Sequence, residues 1–279
     1  MKKKKILIFT ATYNEAGNIR DLIYKIKKFS PNSHILIIDD NSPDGTGNIV
    51  KIISNNIKNL KLISRKTKSG LDTAHKLAYN FALKNNYDYL ITMDADFSHD
   101  PKVIRSFLKF LPKFSFVIGS RYIKGGKCLM KGKRLLLSRY GNLLIKKVLS
   151  INLSEFTTSF RGFNLKKLKN FHLNQVNSKG YSFFMGTVFE IYSQKFSIKE
   201  IPIVFKDRSK GISKIPKFEI FRTLKNLFYF SLRKWLVLPP CTDQGTSHYQ
   251  WLVMPFNYRS ISKELYFIDN KAFFFKLLP

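Results

Sequence analysis

Cysteine is scarce in this 279-residue chain, with only Cys128 and Cys241. They stand far apart without metal-ligand spacing, which argues against a disulfide framework and suits a reducing compartment. Acidic residues are also few: 18 Asp and Glu face 49 Lys and Arg, for a formal net charge of +31. Such an imbalance predicts attraction to something anionic, whether nucleic acid, phospholipid headgroups or phosphorylated substrates. The excess is mostly lysine and comes with abundant Asn, Ile and Phe, as a compositional drift shared by a whole proteome would give, so charge alone does not choose among these partners. Long apolar runs are missing. No stretch reaches the roughly 18 residues of a membrane-spanning helix, and the run at residues 6–9, after four lysines, is too short for a signal peptide and reads as a first strand. No Walker-type loop or G-x-G-x-x-G occurs, so phosphates must be met by a metal and cationic side chains. No helix-turn-helix, zinc or RNA-recognition signature appears either, which weakens nucleic-acid binding as the reading of the charge.

What is present is a recurrence of short apolar runs separated by helical patterns, the mark of βαβ units and a largely parallel sheet. Strands are expected at residues 5–10, 34–39, 60–64, 89–93 and 116–119. Ile19, Leu22, Ile23 and Ile26 have the i, i+3, i+4, i+7 spacing of a buried helix face, as do Ile104, Phe107, Leu108 and Leu111. Leu71, Ala74, Ala78 and Phe81 form another. The first 120 or so residues therefore read as a doubly wound α/β unit, whose ligands belong beyond the carboxyl ends of the strands. Two later segments, 131–149 and 218–238, mix Leu and Phe with Lys and Arg in the manner of basic amphipathic helices, suited to packing on the sheet or lying on a membrane surface. Past Pro239 no period is detectable.

The strongest chemical signal is Met93-Asp94-Ala95-Asp96-Phe97-Ser98-His99-Asp100-Pro101, where an apolar run ends in two carboxylates spaced i, i+2. If the strand continues through them, both point to one spot beyond its carboxyl end. Like charges that close repel unless a cation lies between them, and Mg²⁺ takes one or two carboxylates together with substrate phosphates. Strand ends at Thr12-Tyr13-Asn14-Glu15 and Asp39-Asp40-Asn41-Ser42-Pro43-Asp44-Gly45-Thr46 add carboxylates able to meet a base or ribose. Cations follow at Gly119-Ser120-Arg121-Tyr122, at Arg134, and in Arg208-Ser209-Lys210-Gly211-Ile212-Ser213-Lys214, a loop able to wrap a phosphate.

Together and in this order, with Gly70-Leu71-Asp72-Thr73-Ala74, Thr157-Thr158-Ser159-Phe160-Arg161 and Gly180-Tyr181-Ser182-Phe183, these motifs resemble the family 2 glycosyltransferases of GT-A fold, in particular the dolichyl- or polyprenyl-phosphate mannosyltransferases. The resemblance spans about residues 6–214. It implies an inverting transfer of a hexose, most readily mannose from GDP-mannose, to a polyprenyl phosphate at the cytoplasmic face of a membrane, with UDP-glucose as the rival donor. By the same resemblance Thr12, Tyr13, Glu15, Asp39, Asp40, Asp44 and Asp94 would bind the nucleotide sugar, and Asp94 and Asp96 would hold Mg²⁺ or Mn²⁺. Asp96, Arg121, Arg208 and Lys214 would carry catalysis, and Arg134 and Ser213 would meet the acceptor phosphate. The implied organisation is a catalytic domain over 1–215, a membrane-associating helix over 216–240 and a tail over 241–279. The chain departs from the family pattern at Ala11 (usually Pro), Glu155 (usually Asp), Phe184 (commonly Gln) and Gly186 (commonly Glu). The last two substitutions would alter the sugar or acceptor accepted, weaken activity, or mark a non-catalytic homologue that keeps nucleotide binding.

Overall fold

The computed structural model describes residues 4–206 and 219–237. Seven strands form the main sheet: β1 (Ile6–Thr12), β2 (His34–Asp39), β3 (Leu60–Ser64), β4 (Tyr89–Thr92), β5 (Phe116–Ser120), β7 (Arg161–Asn164) and β8 (Ile198–Pro202), in the order β3-β2-β1-β4-β7-β5-β8. All neighbours pair in parallel except around β7, which runs antiparallel to both β4 and β5. A small second sheet joins β6 (Lys127–Cys128) to β9 (Val204–Phe205). The expected strand boundaries shift slightly. β1 runs on to Thr12 because its pairing with β2 continues to Thr12↔Asp39, and the apolar run at 201–205 is split, its two halves entering different sheets.

Both faces of the sheet are covered, so the strands are apolar on both sides, as buried parallel strands are. Ile8, Ile35, Ile37 and Ile91 pack on α1 (Ala16–Phe29), α2 (Thr46–Ser54) and α4 (Ile104–Phe110), through Leu22, Ile26, Ile53 and Phe107. Leu7, Phe9, Leu36 and Leu90 face the other way, into a core shared by α3 (Leu71–Lys84), α5 (Gly132–Leu149), α6 (Ser182–Ser193) and α7 (Glu219–Val237). Burying i, i+3, i+4 positions is what makes these helices stable here, since helices of this length are marginal alone.

The basic segments are indeed helices. α5 buries only Asn142, Ile145 and Leu149 among its eighteen residues, and α7 packs against α5 and α6 within the same compact unit as the sheet, Met1–Leu238. No helix among the described residues is long and apolar enough to cross a membrane. The loop bearing Arg208, Ser213 and Lys214, and the tail over 241–279, lie outside the described residues.

Candidate active site

The carboxyl ends of β1, β2, β4 and β5 open onto one elongated cavity of about 1090 Å³. At the first two ends the turns are tied to each other. Asp39 is buried and accepts hydrogen bonds from Thr12 Oγ1 (2.8 Å), Ser42 N (3.0 Å) and Ser42 Oγ (2.6 Å). Asp44 accepts from Thr46 N (3.0 Å), Thr46 Oγ1 (2.6 Å) and Ala16 N (2.9 Å). Partial burial pushes the Asp44 carboxyl up, but these donors win and hold it below the ordinary carboxylate range. Both residues therefore brace the β1 and β2 turns, and neither is among the cavity-lining residues; Thr12, Tyr13, Glu15 and Asp40 are. Asp40 forms an ion pair with Arg65, whose Nη1 donates to Thr73 Oγ1 (2.6 Å) and Nη2 to the Gly70 carbonyl (3.0 Å). Lys68 lies 4.3 Å from the centre of the Tyr13 ring.

The acidic pair reaches the cavity by a route different from strand alternation. β4 ends at Thr92, whose hydroxyl donates to the Ser159 carbonyl (2.5 Å), and the chain then turns, with Phe97 at φ 61°. Asp94 Oδ1 accepts from Ser159 Oγ (2.6 Å), and Asp96 Oδ1 accepts from Ser98 N (3.1 Å) and Ser98 Oγ (2.6 Å). Both carboxylates line the cavity, presented by a turn. His99 anchors that turn from beneath. Its Nδ1 is 3.1 Å from the Asp94 amide, which can only donate, so Nδ1 is the acceptor and Nε2 carries the proton to Thr158 Oγ1 at 3.3 Å. Burial lowers the His99 pKa although Asp94 and Asp96 pull it upward, which keeps the imidazole neutral.

A loop at 155–160 holds the remaining pieces. Glu155 is completely buried and accepts from Arg121 Nε and Nη2, both at 2.7 Å, and from Thr157 N (3.0 Å) and Thr158 N (3.2 Å). Burial alone would raise its pKa; the Arg121 guanidinium beside it holds the carboxyl below its usual range. The sequence resemblance assigns Arg121 to phosphate. It does line the cavity, but Nε and Nη2 are committed to Glu155. Behind the loop, fully buried Arg161 donates to the carbonyls of Thr158 (2.7 Å) and Phe156 (2.9 Å) and stacks 4.8 Å from the Phe184 ring; burial pulls its pKa down to about 9, so it stays charged at neutral pH.

The helix-lined half of the cavity holds most of its large apolar side chains, with Lys147 and Arg222 among them. Leu137, Leu144 and Ile145 of α5, Leu224 and Leu227 of α7, and Phe184 of α6 line it, with Arg134 at the α5 side. Asp72 and Ser159 belong to motifs that carry the resemblance but have no role assigned from sequence, and Arg65 and Lys68, which also line the cavity, stand outside those motifs. Arg65 had a usable signal, since it follows the third strand as directly as Asp40 follows the second.

Asp94 and Asp96 suit a divalent ion of one kind. Among the described residues no cluster of three or more His, Cys, Asp or Glu could form a closed cage. A pair of hard oxygen donors at an open cavity fits an ion such as Mg²⁺ or Mn²⁺ that completes its shell with water and phosphate oxygens.

A mostly parallel, helix-covered sheet with carboxylates gathered at its strand ends is the GT-A glycosyltransferase fold, and solved structures agree. Glucosyl-3-phosphoglycerate synthase from Mycobacterium tuberculosis, crystallised with Mn²⁺ and UDP, superposes with a TM-score of 0.57 at 13% identity over 85% of this chain and 82% of that one. A mannosyltransferase from Pyrobaculum calidifontis, in complex with GDP-Man and Mn²⁺, gives a TM-score of 0.51 at 16% identity over 86% and 67%. Among curated proteins, polyprenol monophosphomannose synthase of Mycolicibacterium smegmatis is 31% identical over 76% of this chain and 81% of its own length. Undecaprenyl-phosphate mannosyltransferase of Micrococcus luteus is 32% identical over 76% and 87%. The family model described as glycosyl transferase family 2 matches residues 7–171, and the chain belongs to that family.

Proposed function

We propose that this enzyme transfers mannose from GDP-mannose to the phosphate of a polyprenyl phosphate, with inversion at the anomeric carbon. The observation that carries the reading is the continuity of one cavity, with carboxylates at the strand ends and most of its large apolar side chains on α5, α6 and α7. That gradient matches a charged nucleotide sugar meeting an acceptor that is phosphate at one end and hydrocarbon at the other, and the substrates in the names of the two curated relatives are of this kind.

In this reading Thr12, Tyr13, Glu15 and Asp40 bind the nucleotide, with Asp39 and Asp44 holding the turns that present them. Asp94 and Asp96 would hold Mg²⁺ or Mn²⁺, which supplies charge neutralisation for the departing diphosphate. Arg121 and Arg134 flank the phosphates, and the sequence resemblance assigns Arg208, Ser213 and Lys214, outside the described residues, to the same task. An oxygen of the acceptor phosphate attacks C1 of the sugar while the bond from C1 to the diphosphate breaks, its electron pair leaving with the nucleotide. The acceptor phosphate is already ionised near neutral pH, so no strong base is required. Catalysis then rests on positioning and electrostatic stabilisation. The exposed faces of α5 and α7 lie on the anionic cytoplasmic face of a membrane, where the acceptor resides.

The test is to incubate purified protein with a divalent ion, a short polyprenyl phosphate and, in parallel, GDP-mannose or UDP-glucose, and to weigh the lipid product by mass spectrometry. Mannosyl-phosphate lipid formed from GDP-mannose is the expected product. Glucosylated lipid alone would overturn the donor assignment, and no glycolipid with either donor would overturn the transfer itself.

A further inference from the structure

Helix α6 supplies no side-chain cap at its own start, although the first amides of any helix lack intrahelical partners. The missing acceptors come from two other helices. Gly180 N donates to Asp72 Oδ1 of α3 at 3.1 Å, while Tyr181 N and Ser182 N both donate to Glu219 Oε1, the first residue of α7, at 2.8 and 3.2 Å. Glu219 is buried, and its Oε2 accepts from Arg222 Nη1 at 2.8 Å. Gly180 adopts φ +64°, and a Cβ there would come within 2.8 Å of Arg222 Nη1 and 2.9 Å of Glu219 Oε2. The carboxylate thus lies against backbone that carries no side chain, at a left-handed φ that favours glycine.

The clamp sits between two walls of the helix-lined half of the cavity. Tyr181 and Phe184 line it from α6, and Ile220, Leu224 and Leu227 line it from α7. Asn226 Nδ2, about two turns further along α7, adds a bond to Ser182 Oγ at 2.8 Å.

We infer that Glu219 is a positioning residue for the acceptor: by capping α6 from α7 it sets the separation of the two apolar walls that receive the hydrocarbon chain. The assignment rests on the acceptor reading above, and its test separates the two. In Glu219→Ala, KM for polyprenyl phosphate rises about tenfold, the scale of one charge-assisted hydrogen bond, while GDP-mannose affinity by calorimetry stays at the wild-type value. Glu219→Gln, which keeps a carbonyl facing both amides, restores most of the acceptor KM. Hydrogen exchange of the peptide 180–186 speeds up in Glu219→Ala and remains slow in Glu219→Gln, a readout that stands whether or not the protein makes glycolipid. Equal loss of donor and acceptor affinity, a Gln variant as impaired as Ala, or unchanged exchange at 180–186 would each overturn the assignment. An inactive wild type that still shows the exchange pattern would refute the acceptor reading and leave the clamp standing.

Discussion

We propose for Asp96 two functions that one substitution separates. Its Oδ1 closes the turn after β4 by accepting from the Ser98 amide and hydroxyl, and its negative charge faces the cavity beside Asp94. Asp96→Asn keeps a carbonyl for the turn and removes the charge. Glycolipid formation should fall by roughly a hundredfold or more, as when a preorganised charge is removed from a reaction centre, while the melting temperature stays within a few degrees of wild type. Activity near wild type would deny Asp96 its role. His75 makes a prediction about acid. It is buried against Phe9 and Phe184, with ring centroids at 5.0 and 5.1 Å, and burial, aided by Arg161, pushes its pKa down to about 3. The unfolded imidazole takes up a proton near pH 6.5, whereas the folded one does not. Its stabilising effect is therefore complete above about pH 6.5 and shrinks by about 1.4 kcal/mol per pH unit as the solution is acidified toward the folded value. His75→Phe should lose less stability between about pH 7.5 and pH 5 than wild type, by roughly 2 kcal/mol in urea titrations. Parallel losses in the two proteins would contradict the assignment. At this scale the sequence revealed acids at strand ends but not their division of labour. Asp39 and Asp40 are adjacent in the chain, yet one faces the turn and the other the cavity, a difference set by Thr12 and Ser42 across the loop.

Among the elements, α6 and α7 meet where neither sequence pattern nor propensity announces it. A Cβ at Gly186 would fall 2.3 Å from Ser178 Oγ, 3.0 Å from Val176 Cγ1 and 3.1 Å from Phe230 Cζ. The absent side chain lets α7 lie close enough for Phe230 to stack on Phe189 at 4.7 Å and for Arg233 to reach Glu190. Ser178 Oγ is itself buried without a hydrogen-bond partner. Gly186→Ala should cost about 1–3 kcal/mol by overpacking. Ser178→Ala removes the colliding, unsatisfied oxygen and should recover most of that loss in the double variant. Chemical denaturation of the four proteins gives the coupling, and strict additivity would exclude direct contact as the cause. Gly186 is thus accounted for by helix docking, and Phe184 by its stacking on Arg161 and its place in the cavity wall. Legibility followed burial pattern. The strands at β1 to β5 and the helices α1, α3 and α4 announce themselves because uninterrupted apolar runs and i, i+3, i+4 spacings reflect two covered faces. β7 escaped notice because its four residues, Arg161-Gly162-Phe163-Asn164, resemble a polar loop; long-range pairing with β4 and β5 makes it a strand. The motif at 157–161 and the departure at Glu155 carry no mechanical role in the sequence, since the work of this loop is done through partners distant in sequence.

For the molecule as a whole, the +31 charge acquires direction from the pairing of α5 with α7. Leu136 and Tyr140 on α5 and Phe221 and Phe228 on α7 are more than half exposed, among Lys133, Arg139, Lys146, Lys147 and Lys225. Isolated apolar residues are ordinary on a surface, but large ones grouped on two adjacent amphipathic helices call for an apolar partner. A nucleic acid would satisfy the cations and leave the Phe and Leu side chains wet. An anionic bilayer satisfies both, with each buried apolar side chain contributing about 1.5–3 kcal/mol and each cation near the surface about 1 kcal/mol. Vesicles containing phosphatidylglycerol should therefore sediment the protein at low salt. The double variant Phe221→Ser/Phe228→Ser should reduce sedimentation at every salt concentration, because the apolar contribution is not screened, whereas Lys146→Gln/Lys225→Gln should reduce it mainly at low salt, where the Debye length exceeds about 10 Å. GDP-mannose affinity should be unchanged in both, since none of the four residues lines the cavity. Sedimentation unaffected by loss of the two phenylalanines would mean that charge alone brings the enzyme to lipid, and the apolar faces of α5 and α7 would then need another occupant.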